Sequence, residues 1–312
     1  MSFSRDVKDE ICKNLPSGDC CVRAMLYGLL LCSHSFGEEG IALTTDNEAV
    51  ATTAKTFVKQ LFGDGFCAYV IERSSSSGRT VFALHIVDRE EVRGLLAAFG
   101  HQPGEVSVRI KEQNFVCEHC VRAFLAGCFL SCGRVTDPQK EYHLELVTSR
   151  TNLTKDLMPQ FVKVGLVPKY ARRQGSHVLY FKDSGEIEEL LTLFGAPMSA
   201  VQLMNVKIYK EIRNQVNRIT NCETANIDKT VSAAAGQVED IQYLLDQHAE
   251  DRLSDELRAV AMLRLQNPDM SLAELLATGG LSISRSGLNH RLAKIRSIAK
   301  ALREERADKP ID

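Results

Sequence analysis

Three short strings recur in the same order along this 312-residue chain. Cys21-Val22-Arg23-Ala24 returns as Cys120-Val121-Arg122-Ala123, and Phe57-Val58-Lys59 returns as Phe161-Val162-Lys163. Leu95-Leu96-Ala97-Ala98-Phe99-Gly100 returns as Leu190-Leu191-Thr192-Leu193-Phe194-Gly195. The offsets are 99, 104 and 95 residues, so order is kept while spacing drifts. That is the mark of one ancestral unit, doubled, whose loops have since changed length. Whatever the first copy forms, the second must form too.

Each copy has the same coarse layout. An apolar helix (about 20–33, then 118–131) leads into a hairpin (35–45, then 133–148). In the second hairpin Tyr142-His143-Leu144-Glu145-Leu146-Val147 alternates apolar and polar residues, as a sheet with one wet face requires. A second helix (47–62, then 150–164) closes at Gly63 in one copy and Gly165 in the other. Two further strands follow, at 66–72 and 79–86 and again at 167–173 and 177–182. Their connections, Ser74–Gly78 and Gln174–Ser176, carry turn residues. A last helix ends each unit, and the order is αββαββα, twice.

The first helix of copy two contains Leu125-Ala126-Gly127-Cys128-Phe129-Leu130-Ser131-Cys132-Gly133, which resembles the LAGLIDADG motif of homing endonucleases. In copy one the corresponding string is Leu26-Tyr27-Gly28-Leu29-Leu30-Leu31-Cys32-Ser33-His34. The resemblance implies that these two helices pack together and that two sheets form a saddle able to sit on DNA. Nucleases of this kind place a carboxylate at the eighth letter of each motif, to hold the metal ions that activate water. Here those letters are Ser33 and Cys132. Neither supplies an anionic oxygen to Mg²⁺, so no catalytic residue and no nuclease activity are expected. Glu38, Glu39, Asp137, Glu141 and Glu145 lie nearby on the hairpins, where solvated strand charges explain them. Lys169, Arg172, Arg173 and Lys182 on the last strand pair of copy two are a candidate secondary DNA contact. Copy one has only Arg73 and Arg79 in the same region.

A net charge of −2 predicts no partner for the chain as a whole, so any nucleic-acid signal must be local. The apolar runs Ala24–Cys32 and Ala123–Leu130 are too short for a membrane span. Ser2 to Leu15 is a charged amphipathic stretch unlike a signal peptide, and a soluble, cytoplasmic protein is expected. Without export, the ten cysteines read as reduced thiols used as small core residues. A sharper alternative is zinc on Cys117-x-x-Cys120 with His119 and the Cys20-Cys21 pair. A lone C-x-x-C is a weak signal, so the expectation is no metal and no cofactor.

Residues 198–235 read as a helical linker. Val201, Met204, Ile208, Ile212, Val216 and Ile219 fall near helical spacing, with Lys207, Lys210, Arg213, Asn214, Asn217 and Arg218 on the other face. Asn221 to Lys229 is polar enough to predict a turn before a new helix from Thr230 to about His248. Beyond it Leu253, Leu257, Ala261 and Leu265 step by four on a helix that Ser254 can cap and Asn267-Pro268 ends. Ser271-x-x-Glu274 is a capping box for a short second helix, and Thr278-Gly279-Gly280 makes a turn. A third helix from about Ser284 carries Leu288, Leu292, Ile295, Ile298 and Leu302 on one stripe. This is a helix-turn-helix layout.

Charge supports it. Residues 281–303 hold six basic side chains (Arg285, Arg291, Lys294, Arg296, Lys300, Arg303) and no acidic one. Residues 237–256 hold seven acids against the single base Arg252. Such a helix fits the major groove with its N-terminal residues at the base edges. Ser284, Arg285, Ser286, Asn289 and His290 are therefore the candidates for base reading. Arg291, Lys294, Arg296 and Lys300 complete the predicted DNA-binding set, the last three at phosphates.

With both halves in view the chain resembles the WhiA family of bacterial transcriptional regulators. The resemblance rests on Ser2-Phe3-Ser4, Cys20-Cys21 and Tyr142-His143-Leu144-Glu145. It rests also on Thr224-Ala225-Asn226-Ile227-Asp228-Lys229-Thr230 and, most specifically, on Ser284-Arg285-Ser286-Gly287-Leu288-Asn289-His290-Arg291-Leu292. It implies an α+β fold: a duplicated, degenerate LAGLIDADG-like domain over 1–197 (copies at about 20–100 and 118–196) and a helical linker over 198–235. A helix-turn-helix domain over 236–306 and a tail over 307–312 complete it. Also implied are sporulation-linked gene control and a role in cell division or chromosome segregation in a Gram-positive bacterium, at the nucleoid. The expected partner is double-stranded DNA, with another transcription factor or RNA polymerase as a protein partner and no membrane. The alternatives are an adaptor whose duplicated domain binds a protein or small ligand, and a residual endonuclease.

Overall fold

The computed structural model describes residues 2–74, 80–105, 107–280 and 282–307, the side chains of Arg73 and Ser74 excepted. Most of the Ser74–Gly78 connection, Arg79 and the tail from residue 308 lie outside the described residues. The chain divides into two compact units, Met1–Glu211 and Ile212–Asp312.

The first unit opens with α1 (Phe3–Lys13), whose buried Phe3, Val7 and Ile11 recur every fourth residue and make one apolar stripe. The duplicated pattern follows. Copy one is α2 (Asp19–Leu31), β1 (Ser35–Gly37), β2 (Gly40–Thr45), α3 (Glu48–Phe62), β3 (Tyr69–Ser74), β4 (Thr80–Ile86) and α4 (Arg89–Ala98). Copy two is α5 (Cys120–Cys132), β5 (Gly133–Val135), β6 (Leu144–Thr148), α6 (Thr151–Lys163), β7 (Lys169–Arg173), β8 (Ser176–Phe181) and α7 (Ser184–Phe194). Each copy builds a four-stranded antiparallel sheet, ordered β1-β2-β4-β3 and β5-β6-β8-β7. Even the caps repeat. Asp88 accepts from the N–H groups of Glu90 and Glu91 at the start of α4. Asp183 accepts from Gly185 and Glu186 at the start of α7.

Helices α2 and α5 are the seam between copies, and two glycines set their approach. A Cβ on Gly28 would stand 2.1 Å from the Phe124 carbonyl oxygen, and one on Gly127 2.1 Å from that of Met25. No residue but glycine lets two backbones meet so closely. Both helices are apolar on nearly every side because the seam covers one face and the sheets and outer helices cover the rest.

Residues 197–246 form a single helix, α8 (Pro197–Asp246), that carries the chain from the first unit into the second. The turn expected at Asn221–Lys229 is therefore absent. The stretch contains neither Gly nor Pro. Its polar side chains are accommodated locally: the Thr230 hydroxyl donates to the Asn226 carbonyl one turn back, at 2.8 Å. Weak helix propensity without a breaker did not stop the helix. The second unit continues with α9 (Asp255–Gln266), α10 (Leu272–Gly279) and α11 (Arg285–Ala307) around a core of Ile241, Leu257, Val260, Leu275, Leu288 and Ile295 with their neighbours.

Candidate nucleic-acid interface

Around α9 and α10 most of the short-range signals act as the sequence predicts. At α10 the capping box closes in both directions: Ser271 Oγ accepts from the Glu274 N–H (3.3 Å), and Glu274 Oε2 accepts from the Ser271 N–H (2.7 Å). Gly280 ends α10 at φ 56°, a left-handed position that favours glycine. The exception is Ser254, which occupies the N-cap of α9 without a side-chain cap bond. Between α9 and α10 the buried guanidinium of Arg264 donates to the carbonyls of Asn267 (3.3 Å) and Met270 (2.6 Å), fixing the loop from within.

Helix α11 buries Leu288, Leu292, Ile295, Ala299 and Leu302. Ile298, expected on that stripe, is only partly buried, and Ala299 takes its place. Arg285 at the start of the helix, and Ser286, Asn289, His290 and Lys294 away from the buried stripe, are exposed and form no side-chain bond with any described residue. The remaining predicted residues have other engagements. Ser284 caps the helix, its hydroxyl accepting from the Gly287 N–H at 3.1 Å. Arg291 pairs with Glu256 of α9 at 2.8 Å. Arg296 (3.6 Å) and Arg303 (2.6 Å) converge on the buried Asp240 of α8. Lys300 pairs with Glu304 at 3.7 Å. The predicted set thus divides into an open group, two arginines (Arg291 and Arg296) that tie α11 to α9 and α8, and two residues (Ser284 and Lys300) engaged within α11 or at its start.

In the first unit strand register sorts the basic residues by face. Lys169 pairs with Tyr180 and Arg173 with Ser176, whereas Arg172 pairs with His177. Directly paired residues share a face, and the His177-Leu179-Phe181 side is the one packed into the core. Lys169, Arg173 and Lys182 therefore lie together on the face away from the helices, and Arg172 does not. Arg134, opposite Glu145 on β5, joins that face. Glu145 is not a solvated strand charge: it is buried, with His143 Nε2 at 3.0 Å and Arg173 Nη1 at 3.2 Å.

Ser33 and Cys132, the eighth letters of the two motif strings, lie at or just past the C-terminal ends of α2 and α5. A groove of about 820 Å³ opens over Cys132 and is lined by Lys8, Arg134, Glu145 and Arg173 among others. Ser33 is buried and donates to the Ser35 carbonyl at 2.9 Å. The Cys132 thiol is pushed well above its usual range by its hydrogen bond with Cys32 and by burial, and stays protonated. Two cations meet the helix ends instead of two carboxylates. Lys8 donates to the Leu130 carbonyl (3.1 Å) and Arg150 to that of Leu31 (2.5 Å).

A family model described as "WhiA LAGLIDADG-like domain" matches residues 121–213, and one described as "WhiA C-terminal HTH domain" matches residues 216–299. "Probable cell division protein WhiA" from Clostridium botulinum is 35% identical over 313 residues, covering 97% of this chain and 99% of that one. The chain belongs to the WhiA family. A WhiA relative of the same printed name from Clostridium beijerinckii is 38% identical over 312 residues, with 97% and 99% covered. The solved structure of full-length DUF199/WhiA from Thermatoga maritima superposes with a TM-score of 0.58 at 20% identity, covering 96% of this chain and 99% of that one. At that identity the likeness concerns the fold.

Several residues of this WhiA chain escaped sequence reasoning. Lys8, Arg150 and Arg134 carry no motif, and their roles depend on which backbone oxygens or strands lie opposite. Arg264 left one usable signal, an arginine in the last turn of a helix directly before Asn-Pro. The cysteines are free thiols, as expected, but four of them gather at one point. Cys20, Cys21, Cys117 and Cys120, the group weighed as the sharper alternative to plain core thiols, bring their sulfurs within 4.8 Å of one another. His119, weighed as a fifth member, stays outside: its ring is 63% exposed and lies 3.4 Å from Glu118. Among the described residues no helix is long and apolar enough to cross a membrane.

Proposed function

We propose that this chain is a sequence-specific transcriptional regulator that reads double-stranded DNA with α11. The observation that carries the reading is the open face of that helix. Arg285, Ser286, Asn289, His290 and Lys294 are exposed and without described partners, while the inner face is apolar and locked to α9 and α10. Asn and Arg are the side chains that pair bidentately with adenine and guanine edges. Arg291 and Arg296 act chiefly by orienting the helix. Lys169, Arg173, Lys182 and Arg134 supply a second, sequence-independent contact to phosphates.

The test is a binding selection from random duplexes with the full chain, followed by titration on the selected site. Asn289→Ala is expected to cost about 1–3 kcal/mol on that site and to relax preference at one base position. Lys294→Ala is expected to weaken binding to all sequences and to reduce the salt slope by about one. Unchanged site preference in Asn289→Ala would remove α11 as the reading element.

The duplicated unit is inferred to be a non-nuclease. With Lys8 and Arg150 at the two helix ends, a divalent cation there would meet positive charge rather than paired carboxylates. Magnesium-dependent cleavage of a duplex, lost in Glu145→Gln, would overturn this. The names of the Clostridium relatives support a place in cell division. Sporulation-linked control, chromosome segregation and nucleoid association follow from the family resemblance, and a deletion strain scored for septation and nucleoid spacing tests them. A second reading, an adaptor for another transcription factor or RNA polymerase, is favoured by Ile208, Ile212, Val216 and Ile219. They lie exposed along one stripe of α8. Charged substitutions on that stripe that abolish regulation but preserve DNA affinity would favour it.

A further inference from the structure

We propose that Cys20, Cys21, Cys117 and Cys120 hold a structural zinc ion that ties the start of α2 to the start of α5. The Cys117 sulfur lies 3.6 Å from that of Cys20, and 3.5 Å from those of both Cys21 and Cys120. A tetrahedron of thiolates at a zinc–sulfur distance of about 2.3 Å has edges of about 3.8 Å, so the sulfurs already stand near the spacing the ion requires. With every pair within 4.8 Å, the cluster is too tight to enclose a cubane of iron and sulfide. Thiolate donors alone also exclude the hard cations Mg²⁺ and Ca²⁺. All four cysteines are free thiols.

The surroundings fit a closed site rather than a catalytic one. Cys21 and Cys120 are buried and the other two are half-buried, with no fifth donor in the group. Cys117 and Cys120 form a knuckle in which the Cys117 N–H points to Cys120 Sγ at 3.4 Å and the Cys120 N–H to the Cys117 carbonyl at 3.1 Å. Backbone N–H donors of this kind orient thiolates around a metal. A tetrathiolate zinc site carries a net charge of −2. Cys20 and Cys21 sit in the first turn of α2, and Cys120 is the first residue of α5. The positive ends of two helix dipoles therefore offset that charge.

Duplication alone does not produce the cluster, and this separates it from chance core packing. Shifted by the 99 residues that relate the two helices, Cys21 falls on Cys120, but Cys20 falls on His119 and Cys117 on Gly18. Each copy thus has its own additional thiol at a different position, and both converge on one point. Neutral core cysteines have no reason to do so, whereas a shared ion gives one. Binding exchanges the thiol protons, up to four per ion, for the metal.

The test uses the full chain, purified with reductant and without chelator. Elemental analysis is expected to find one zinc per chain. Replacement by Co²⁺ is expected to give the thiolate charge-transfer and intense visible bands of a tetrahedral sulfur site. Cys20→Ser with Cys117→Ser should lose the metal. Cys117→His, which can still coordinate, should keep it with shifted cobalt bands, and Cys67→Ser with Cys222→Ser should change nothing. No zinc after incubation with zinc and desalting, iron in its place, an octahedral cobalt spectrum, or zinc retained in a folded Cys20/Cys117 variant would each overturn the proposal. If that variant does not fold, the wild-type stoichiometry and cobalt spectrum decide.

Discussion

The seam makes a quantitative demand that one methyl group can test. In Gly127→Ala the new Cβ would stand 2.1 Å from the Met25 carbonyl oxygen and 2.9 Å from the Leu29 nitrogen, both backbone atoms of the facing helix. Neither can rotate away, so α2 and α5 must move apart by about 1 Å to restore van der Waals spacing. A gap of that size forfeits roughly a quarter to a half of each affected contact. Overpacking of this kind costs about 1–3 kcal/mol, occasionally more. Opposing it is the gain in helix propensity from Gly to Ala, about 1 kcal/mol. Because the whole seam shares the displacement, the upper end of the range applies, and a net loss of about 2 kcal/mol is expected. Gly94→Ala is the matched control: it lies inside α4 in the same unit with nothing within 4 Å of its would-be Cβ. It is expected to stabilise by about 1 kcal/mol. The assay is denaturant unfolding followed by circular dichroism, reading the transition of the first unit. Gly28→Ala combined with Gly127→Ala should cost less than the two singles together, since one opening serves both. A Gly127→Ala midpoint that rises alongside that of Gly94→Ala would refute the close-seam reasoning.

Two further perturbations follow from single side chains. Arg264→Met keeps volume but leaves the carbonyls of Asn267 and Met270 without their donor, at a cost of about 1–3 kcal/mol in the second unit; calorimetry that detects no loss would exclude the internal-clamp role. Burial opposes ionisation of Glu105, but hydrogen bonds from Lys111, the Gln102 N–H and His101 outweigh it and hold its carboxyl at about 2, against an ordinary 4.5. A depressed carboxyl stabilises the fold above the unfolded value, and that stability is lost as pH falls from about 4.5 toward 2. Acid titration of Glu105→Gln should show a shallower loss across that window, and a slope identical to wild type would argue against the linkage.

Much of the fold was legible in the residues because its signals are short-range. The repeated Leu-Leu-x-x-Phe-Gly strings, the alternation of Tyr142–Val147 and the Ser271/Glu274 box each act within one element. The structure builds α4, α7, β6 and α10 where those signals lie. The region 221–229 failed because polar composition weighs against a helix only weakly, and no Gly or Pro interrupts it. On α11 the sequence marked the charged residues, but it did not separate Asn289 and His290, which are open, from Arg291 and Arg296, which are paired. That division depends on where Glu256 and Asp240 lie in space, not on spacing along the helix.

The sequence by itself determined that one αββαββα unit occurs twice, that neither motif helix ends in a carboxylate, and that positive charge gathers on the last long helix. These are facts of order, composition and period. The tertiary structure alone decided that Lys8 and Arg150 take the helix ends and that Arg172 faces away from Lys169 and Arg173. It alone brought Cys20 and Cys21 to Cys117 and Cys120 across almost a hundred residues of chain. Contacts of that range depend on how two copies close against each other at Gly28 and Gly127, a geometry that no local pattern records.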